Sequence, residues 1–392
     1  MDFVYGGIFI LYALILLGFG LYDSRRVRDF SDYVVAGRSR GSLMVAASLL
    51  ASVVGASATM GVVSLASHVG LPAIWWLGSG ALFLFLSSRL LGGMLSGMGV
   101  FTLPHLAERL FEGKVYRLIA LIIVIGWSGI VAAQFVAGAK ILVTFTGLSY
   151  GTALLLVVLL IVLYTILGGQ LSIFRTDLIQ ALLLFGGMIL TLLILLDRGP
   201  ALEGVPGPAG ILEVFPPSRW AYFTFIVGSA FFVGPDIFSR FYSARSPRSA
   251  RVGGTLAAGG LFLFSGMITL VGLWGKSNLP GVEGDSLLTV ILAEHLPPVL
   301  GLVLALGLFS AIVSSADTCL MSAASTLEND LAGRRVVKEN RLLVLVLGGL
   351  AGGIAFLRPG IIPNLMLAYN LFSCGAIPPL AVALLRLRFR KQ

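Results

Sequence analysis

The sequence predicts an all-α integral membrane protein, built from two five-helix groups of opposite topology with one extra N-terminal span. Three observations carry this. Hydrophobic residues make up 57% of the 392-residue chain and charged residues only 11%, with mean hydropathy +0.99; a soluble globular chain is about a quarter charged. About eleven apolar stretches are long enough to cross hydrocarbon, which takes ~20 helical residues. Finally, Lys and Arg crowd onto alternate connections, the asymmetry that fixes orientation in a bilayer.

The predicted spans run roughly over 4–22, 42–68, 72–97, 118–146, 150–169, 176–196, 221–238, 252–275, 298–323, 342–357 and 361–385. The first reads as a retained span, since Arg-rich sequence from Arg25 follows it with no clear cleavage site. Trp75-Trp76 and the pair Trp220 and Tyr222 fall near span ends, where amphipathic rings suit the headgroup layer. Of the 27 Lys and Arg, only Arg198, Arg219, Lys276 and Arg358 occupy one set of alternate loops, and Lys140 lies inside a span. All the others, Arg240 and Lys391 included, fall in the opposite set. Cationic loops stay cytoplasmic, so the N-terminus is expected outside and the C-terminus inside the cell membrane. The net charge of +9 is then a topology signal and not a nucleic-acid footprint.

Two outer connections interrupt the pattern. Asp197–Arg219 is rich in Gly and Pro, and Lys276–Pro298 contains Asp285–Leu292, expected as a short surface helix. No extramembrane module is large enough to hold a catalytic domain. Cys319 and Cys374 lie within spans, and His68, His105 and His295 are isolated, so neither a disulfide framework nor metal-ligand spacing is present. Nucleophile elbows, Walker loops, zincin motifs and paired catalytic carboxylates are missing, and the Gly-rich stretches lie in spans without the strand that a phosphate loop needs. These features argue against an enzyme and against ATP-driven transport.

With the first span (1–22) set aside, five spans precede the Gly/Pro loop and five follow, giving units 42–197 and 219–386. The span at 42–68 runs from inside to outside and its counterpart at 221–238 the other way. That is the inverted-repeat plan of many secondary transporters, which bind near the midplane where the first helix of each repeat is broken. Ala51-Ser52-Val53-Val54-Gly55-Ala56-Ser57 is one candidate break; Val227-Gly228-Ser229-Ala230, with Gly234-Pro235 beyond it, is the other. Small residues also serve close helix packing, so both readings stand at this level.

The richest polar feature lies in the 298–323 span. Ala311, Ser314, Ser315 and Thr318 fall at i, i+3, i+4 and i+7 and share one helix face, with Ser310 and Asp317 flanking it. A lone buried serine would simply bond back to the preceding turn. A row of oxygens at membrane depth instead suits a hard cation, and polar residues there are costly and functional. Asp177 opens the 176–196 span, either as a first-turn carboxylate favoured by the helix dipole or as an ion or gate residue. Gln134 is deep enough to be a pocket polar group, and Tyr369-Asn370 is similar. Lys140 reads as snorkelling toward the interface, and Phe231-Phe232 as packing or a gate.

Taken in order, several stretches resemble the sodium:solute symporter family, the group of bacterial proline and pantothenate symporters and sodium–glucose cotransporters. They are Asp32–Arg38 leading into Ala47–Ser52; Thr102-Leu103-Pro104; Tyr164–Gly169 through Arg175-Thr176-Asp177 and Gln180; Gly234–Phe241; Ser314-Ser315; and Gly375–Pro379. The resemblance implies the leucine-transporter fold. It implies sodium as coupling ion, held by the carbonyls of Ala51, Val54 and Ala311 and the hydroxyls of Ser314 and Ser315. Asp177 matches the family aspartate linked to sodium coupling, and Asp317 and Thr318 stand where some members place the hydroxyls of a second ion site. Substrate contacts are expected from Ser52, Ser57, Gln134, Ser229, Phe231 and Asn370. The positions that carry amides or carboxylates in sugar transporters look like Ala58, Val227 and Ala230 here, which disfavours a sugar. Many members continue beyond the core, whereas this sequence stops at Gln392, close to a one-plus-ten arrangement.

The resulting expectation is a Na⁺-coupled symporter that carries a small organic solute, amino acid or carboxylate-like, into the cytoplasm by alternating access. Its partners are the solute and the bilayer, with no nucleic acid and no obligate protein partner. A solute-sensing, transporter-like receptor and an H⁺-coupled transporter using Asp177 or Asp317 are the rival readings.

Overall fold

The computed structural model describes residues 2–109, 114–199, 208–282 and 284–390, with side chains described as far as Leu384. Met1, the middle of the Asp197–Arg219 loop and Lys391 lie outside the described residues. The described elements are all helical, and one isolated bridge joins Arg40 and Ala244. Among the described residues, eight helices are long and apolar enough to cross a membrane, and two bent pairs qualify as broken spans.

The packing is layered by burial. The N-terminal helix Asp2–Ser24 has only 17% of its apolar window buried, so its leucine faces meet lipid. The Pro298–Leu331 span is 78% buried and sits at the centre, against the Val115–Thr146 and Tyr150–Arg198 helices. That explains why the serine row escapes hydrocarbon. It faces protein on every side.

Three predicted elements take a different form. The spans at 150–169 and 176–196 are joined in one continuous run, Tyr150–Arg198, of 49 residues. Straight, it would measure ~73 Å at 1.5 Å per residue, far more than a bilayer core. It is broken at Gly169, whose φ of 54° and ψ of −148° are non-helical. A Cβ at Gly169 would come within 2.5 Å of the Tyr33 ring, so only glycine fits. The Tyr33 hydroxyl donates to the carbonyls of Thr165 and Ile166, at 3.0 and 3.2 Å, which the break would otherwise leave bare.

Asp285–Leu292 is not a surface helix. A short turn Gly284–Ser286 leads into Leu287–Glu294, whose Leu287, Leu288, Ile291 and Leu292 are buried, partly against Gly275. Lys140 does not snorkel alone either: its ammonium pairs with Asp285 at 2.9 Å, tying this segment to the Val115–Thr146 helix.

Candidate ion and solute site

The first helix of the core runs Ser42–Val53 and stops at Val54, whose ψ of 69° leaves the helical region. The chain resumes as a π-helical turn Ser57–Gly61 and a helix Val62–Val69, bent 65° from the first piece. The unwound stretch is the Gly-and-small-residue segment singled out in the sequence. Gly55 makes the turn possible: a Cβ there would lie 2.4 Å from Ser315 Oγ and 2.6 Å from Gln134 Oε1. The backbone N–H of Ala56 donates to Gln134 Oε1 at 2.8 Å, so this glutamine satisfies a group freed by the break.

In the second half the expected break moves. Val227-Gly228-Ser229-Ala230 is helical, passing from a π-helical turn Phe223–Gly228 into Ser229–Val233. The interruption comes at Gly234, with ψ of 134°, before Pro235 restarts the helix to Ser243. Proline excludes helical geometry at the residue before it, which makes Gly234-Pro235 the stronger breaker.

The serine row divides its labour. Ser315 Oγ donates to the Ser52 carbonyl at 2.8 Å and lies 3.5 Å from that of Ala51, so oxygens of the broken helix and the central helix do meet. Ser314 turns elsewhere, donating to Asp177 Oδ1 at 2.6 Å. Ala311 and Val54 are buried on the same two helices. Of the five expected sodium ligands, the structure joins Ala51 and Ser315 directly and adds the Ser52 carbonyl.

Asp177 is no exposed helix cap. It is fully buried, and its carboxylate accepts from Ser314 and from Ser48. Arg240, also fully buried, donates to Ser48 Oγ at 3.0 Å and Thr318 Oγ1 at 2.5 Å, and stands 3.7 Å from Asp177 Oδ2. This corrects the sequence reading, which placed Arg240 in a cytoplasmic loop. Asp317 accepts from Thr318 at 3.3 Å through Oδ1, while its Oδ2 is buried without a partner among the described residues. Asp177, Asp317 and Thr318 therefore share one network, one turn from Ser315. A second group of contacts ties in the N-terminal helix: Ser310 donates to the Tyr12 hydroxyl at 2.6 Å, and Gln180 lies 3.4 Å from the same oxygen.

Beside Ser315 lies a cavity of about 40 Å³, room for little more than water, lined by Ser52, Ser57, Gln134 and Phe231 from the expected set. Tyr369, singled out in the sequence beside Asn370, lines it too, as does Asp236, which the sequence did not single out as a contact. In the sequence Asp236 shows only as part of the Gly234–Phe241 stretch; its position just after Gly234-Pro235 is the available signal. The other two expected contacts lie elsewhere. Ser229 donates back to the Phe225 carbonyl, and Asn370 is exposed and accepts from Tyr222 at 2.7 Å.

A broken helix packed on a hydroxyl-lined central helix, in an all-helical membrane chain, is the arrangement of the leucine-transporter fold, on which ion-coupled secondary transporters are built. By sequence it is the sodium:solute symporter family that this chain resembles: the family model of that description matches residues 33–205. The chain is 27% identical over 374 residues to a sodium/proline symporter of Staphylococcus aureus (strain JH9), covering 87% of this chain and 71% of that protein. It is 22% identical over 378 residues to the osmoregulated proline transporter OpuE of Bacillus subtilis (strain 168), covering 87% and 75%. Among solved structures, a Na⁺-coupled sialic acid symporter in a substrate-bound outward-open state aligns with TM-score 0.80 at 18% identity, over 97% of this chain and 86% of that one. MhsT in complex with L-phenylalanine aligns with TM-score 0.63 at 16% identity, over 87% of each chain. These relatives are transporters, not enzymes, and the family couples transport to sodium.

Proposed function

We propose that this chain carries a small organic solute with Na⁺ as co-transported ion, by alternating access toward the Arg-rich side of the membrane. The observation that carries the reading is the meeting of Ser315 Oγ with the Ala51 and Ser52 carbonyls at the break of the first core helix. Unwinding frees carbonyls that a monovalent cation can use, and the adjacent hydroxyl completes a set of neutral oxygen ligands. In this reading Na⁺ lies among Ala51, Val54, Ala311, Ser314 and Ser315, and Ser314 leaves Asp177 to join it. Asp177, Asp317 and Thr318 form a second place for an ion or its exit path. The repeats are the units 42–197 and 219–386.

The solute would bind in the Ser52, Ser57, Gln134 and Phe231 cavity, enlarged as the outer gate opens. Asp236 gives that cavity one carboxylate facing a few hydroxyls and an amide, which suits an amino-group-bearing solute better than a polyol. The likeness to two proline transporters supports the same class. A membrane potential adds ~2.3 kcal/mol per charge per 100 mV to the drive. Proton coupling is the second reading, favoured by the unpartnered Oδ2 of buried Asp317.

The test is uptake of labelled amino acids into proteoliposomes under an imposed Na⁺ gradient. Accumulation that collapses when the gradient is dissipated is expected. Uptake driven equally by a pH gradient without sodium would select the proton reading, and binding without net uptake would select a receptor.

A further inference from the structure

A second cavity, of about 620 Å³, opens where the N-terminal helix ends and the first core helix begins, remote from Ser315. Five arginines line it, Arg25, Arg26, Arg28, Arg40 and Arg175, against two aspartates. Both aspartates are engaged. Asp23 is 1% exposed and is held by the Arg175 fork at 2.7 and 2.9 Å, while Asp32 accepts from the Arg28 backbone N–H at 3.2 Å. The lining keeps a surplus of three positive charges.

The cationic groups are prearranged. Tyr22 is flanked by two guanidinium groups, Arg26 4.4 Å and Arg175 4.9 Å from its ring centre. The backbone of Arg40 is pinned by bonds from its N–H to the Ser243 carbonyl and from the Arg245 N–H to its own carbonyl, at 3.0 and 2.8 Å. Its Nε is buried and without a hydrogen-bond partner among the described residues. A buried, unpaired guanidinium N–H is costly unless something outside the chain completes it. Next to it, Ala36, Gly37 and Arg38 take φ of 48°, 60° and 53° in succession. Two non-glycine residues in that region mark local strain of the kind that clusters at binding sites.

We propose that this cavity binds a phosphate-bearing anion, and that its source is the headgroup of an anionic phospholipid in the Arg-rich leaflet. Guanidinium forks match phosphate oxygens two at a time. The location favours a lipid over a soluble anion. Met44 and Leu171 give the lining an apolar side, and Leu43, next in the chain to Met44, is 66% exposed and offers apolar surface to acyl chains. Basic pockets between spans are the places where such headgroups dock.

The experiment uses the full chain purified in neutral detergent. Its melting temperature is followed on titration with phosphatidylglycerol micelles, phosphatidylcholine micelles or inorganic phosphate, for the wild type, Arg28→Gln, Arg40→Gln and the exposed Arg248→Gln. Phosphatidylglycerol should stabilise, phosphatidylcholine should not, and the half-saturating amount should rise roughly fivefold in each of the first two variants but not the third. A shift by inorganic phosphate alone that Arg40→Gln weakens would keep the site and assign it a soluble source. A shift indifferent to both substitutions, or no shift with either anion, overturns the proposal. Native mass spectrometry of the wild type covers the case in which the variants fail to fold: one phosphatidylglycerol should survive delipidation that strips phosphatidylcholine, and equal loss of both lipids overturns the assignment.

Discussion

Asp177 and Arg240 are both fully buried and lie 3.7 Å apart, with Ser48 bridging them. Asp177 lies on the Tyr150–Arg198 helix and Arg240 on Pro235–Ser243, so the pair joins two elements far apart in the sequence. Removing one partner strands a charge. Arg240→Gln should lower stability by about 3–5 kcal/mol, while the double variant Asp177→Asn/Arg240→Gln should recover much of that loss. Melting temperatures in detergent decide it; a double variant as unstable as the single one means the charge pair is not what matters.

Ser315→Ala removes the hydroxyl that faces the Ala51 and Ser52 carbonyls and touches little else. The sodium concentration for half-maximal uptake should rise roughly tenfold, the equivalent of ~1.4 kcal/mol, with folding nearly unchanged. An unaltered sodium dependence would remove Ser315 from the ion site.

Gly55→Ala sets a methyl 2.4 Å from Ser315 Oγ and 2.6 Å from Gln134 Oε1. Overpacking of this kind costs about 1–3 kcal/mol. Because the proposed ion and solute sites share the displaced groups, sodium activation and solute affinity should weaken together. A variant that alters neither shows that the unwound segment is looser than its packing indicates.

His105 lies outside the spans, stacked on Phe101, with its Nδ1 accepting from the Phe101 N–H at 3.4 Å. Burial, aided by Arg335, Arg109 and Arg38, pushes its pKa down to about 4 from 6.5. The unfolded chain therefore binds the proton more readily. The neutral ring's contribution is intact above pH 6.5 and is lost as pH falls from there toward 4. Wild type should lose more melting temperature over that window than His105→Gln; parallel curves for the two would contradict the assignment.

The architecture was legible because burial and lipid exposure both write themselves as apolar runs, and the break at Gly55 because small polar residues interrupt one of them. The neighbourhood of Ser315 followed from helical spacing together with the family resemblance. Two things stayed hidden. Arg240 looked like one more cytoplasmic charge, since only the fold shows that it tucks under Ser48 and Thr318. Tyr12 gave no signal either: an isolated tyrosine in an outer helix does not announce that its hydroxyl receives a bond from Ser310 at the centre of the molecule. Ser229 and Asn370 were misplaced for the converse reason, because a polar residue on a span says nothing of which neighbour turns toward it.

The Tyr33 hydroxyl sits over the carbonyls of Thr165 and Ile166 at the Gly169 break. Swinging the short Phe30–Val35 segment away would leave two peptide dipoles facing an apolar medium with nothing to answer them. That segment is therefore tied to the 150–168 arm of the kinked helix, so a tilt of that arm would be passed to the residues that lead into the Ser42–Val53 helix.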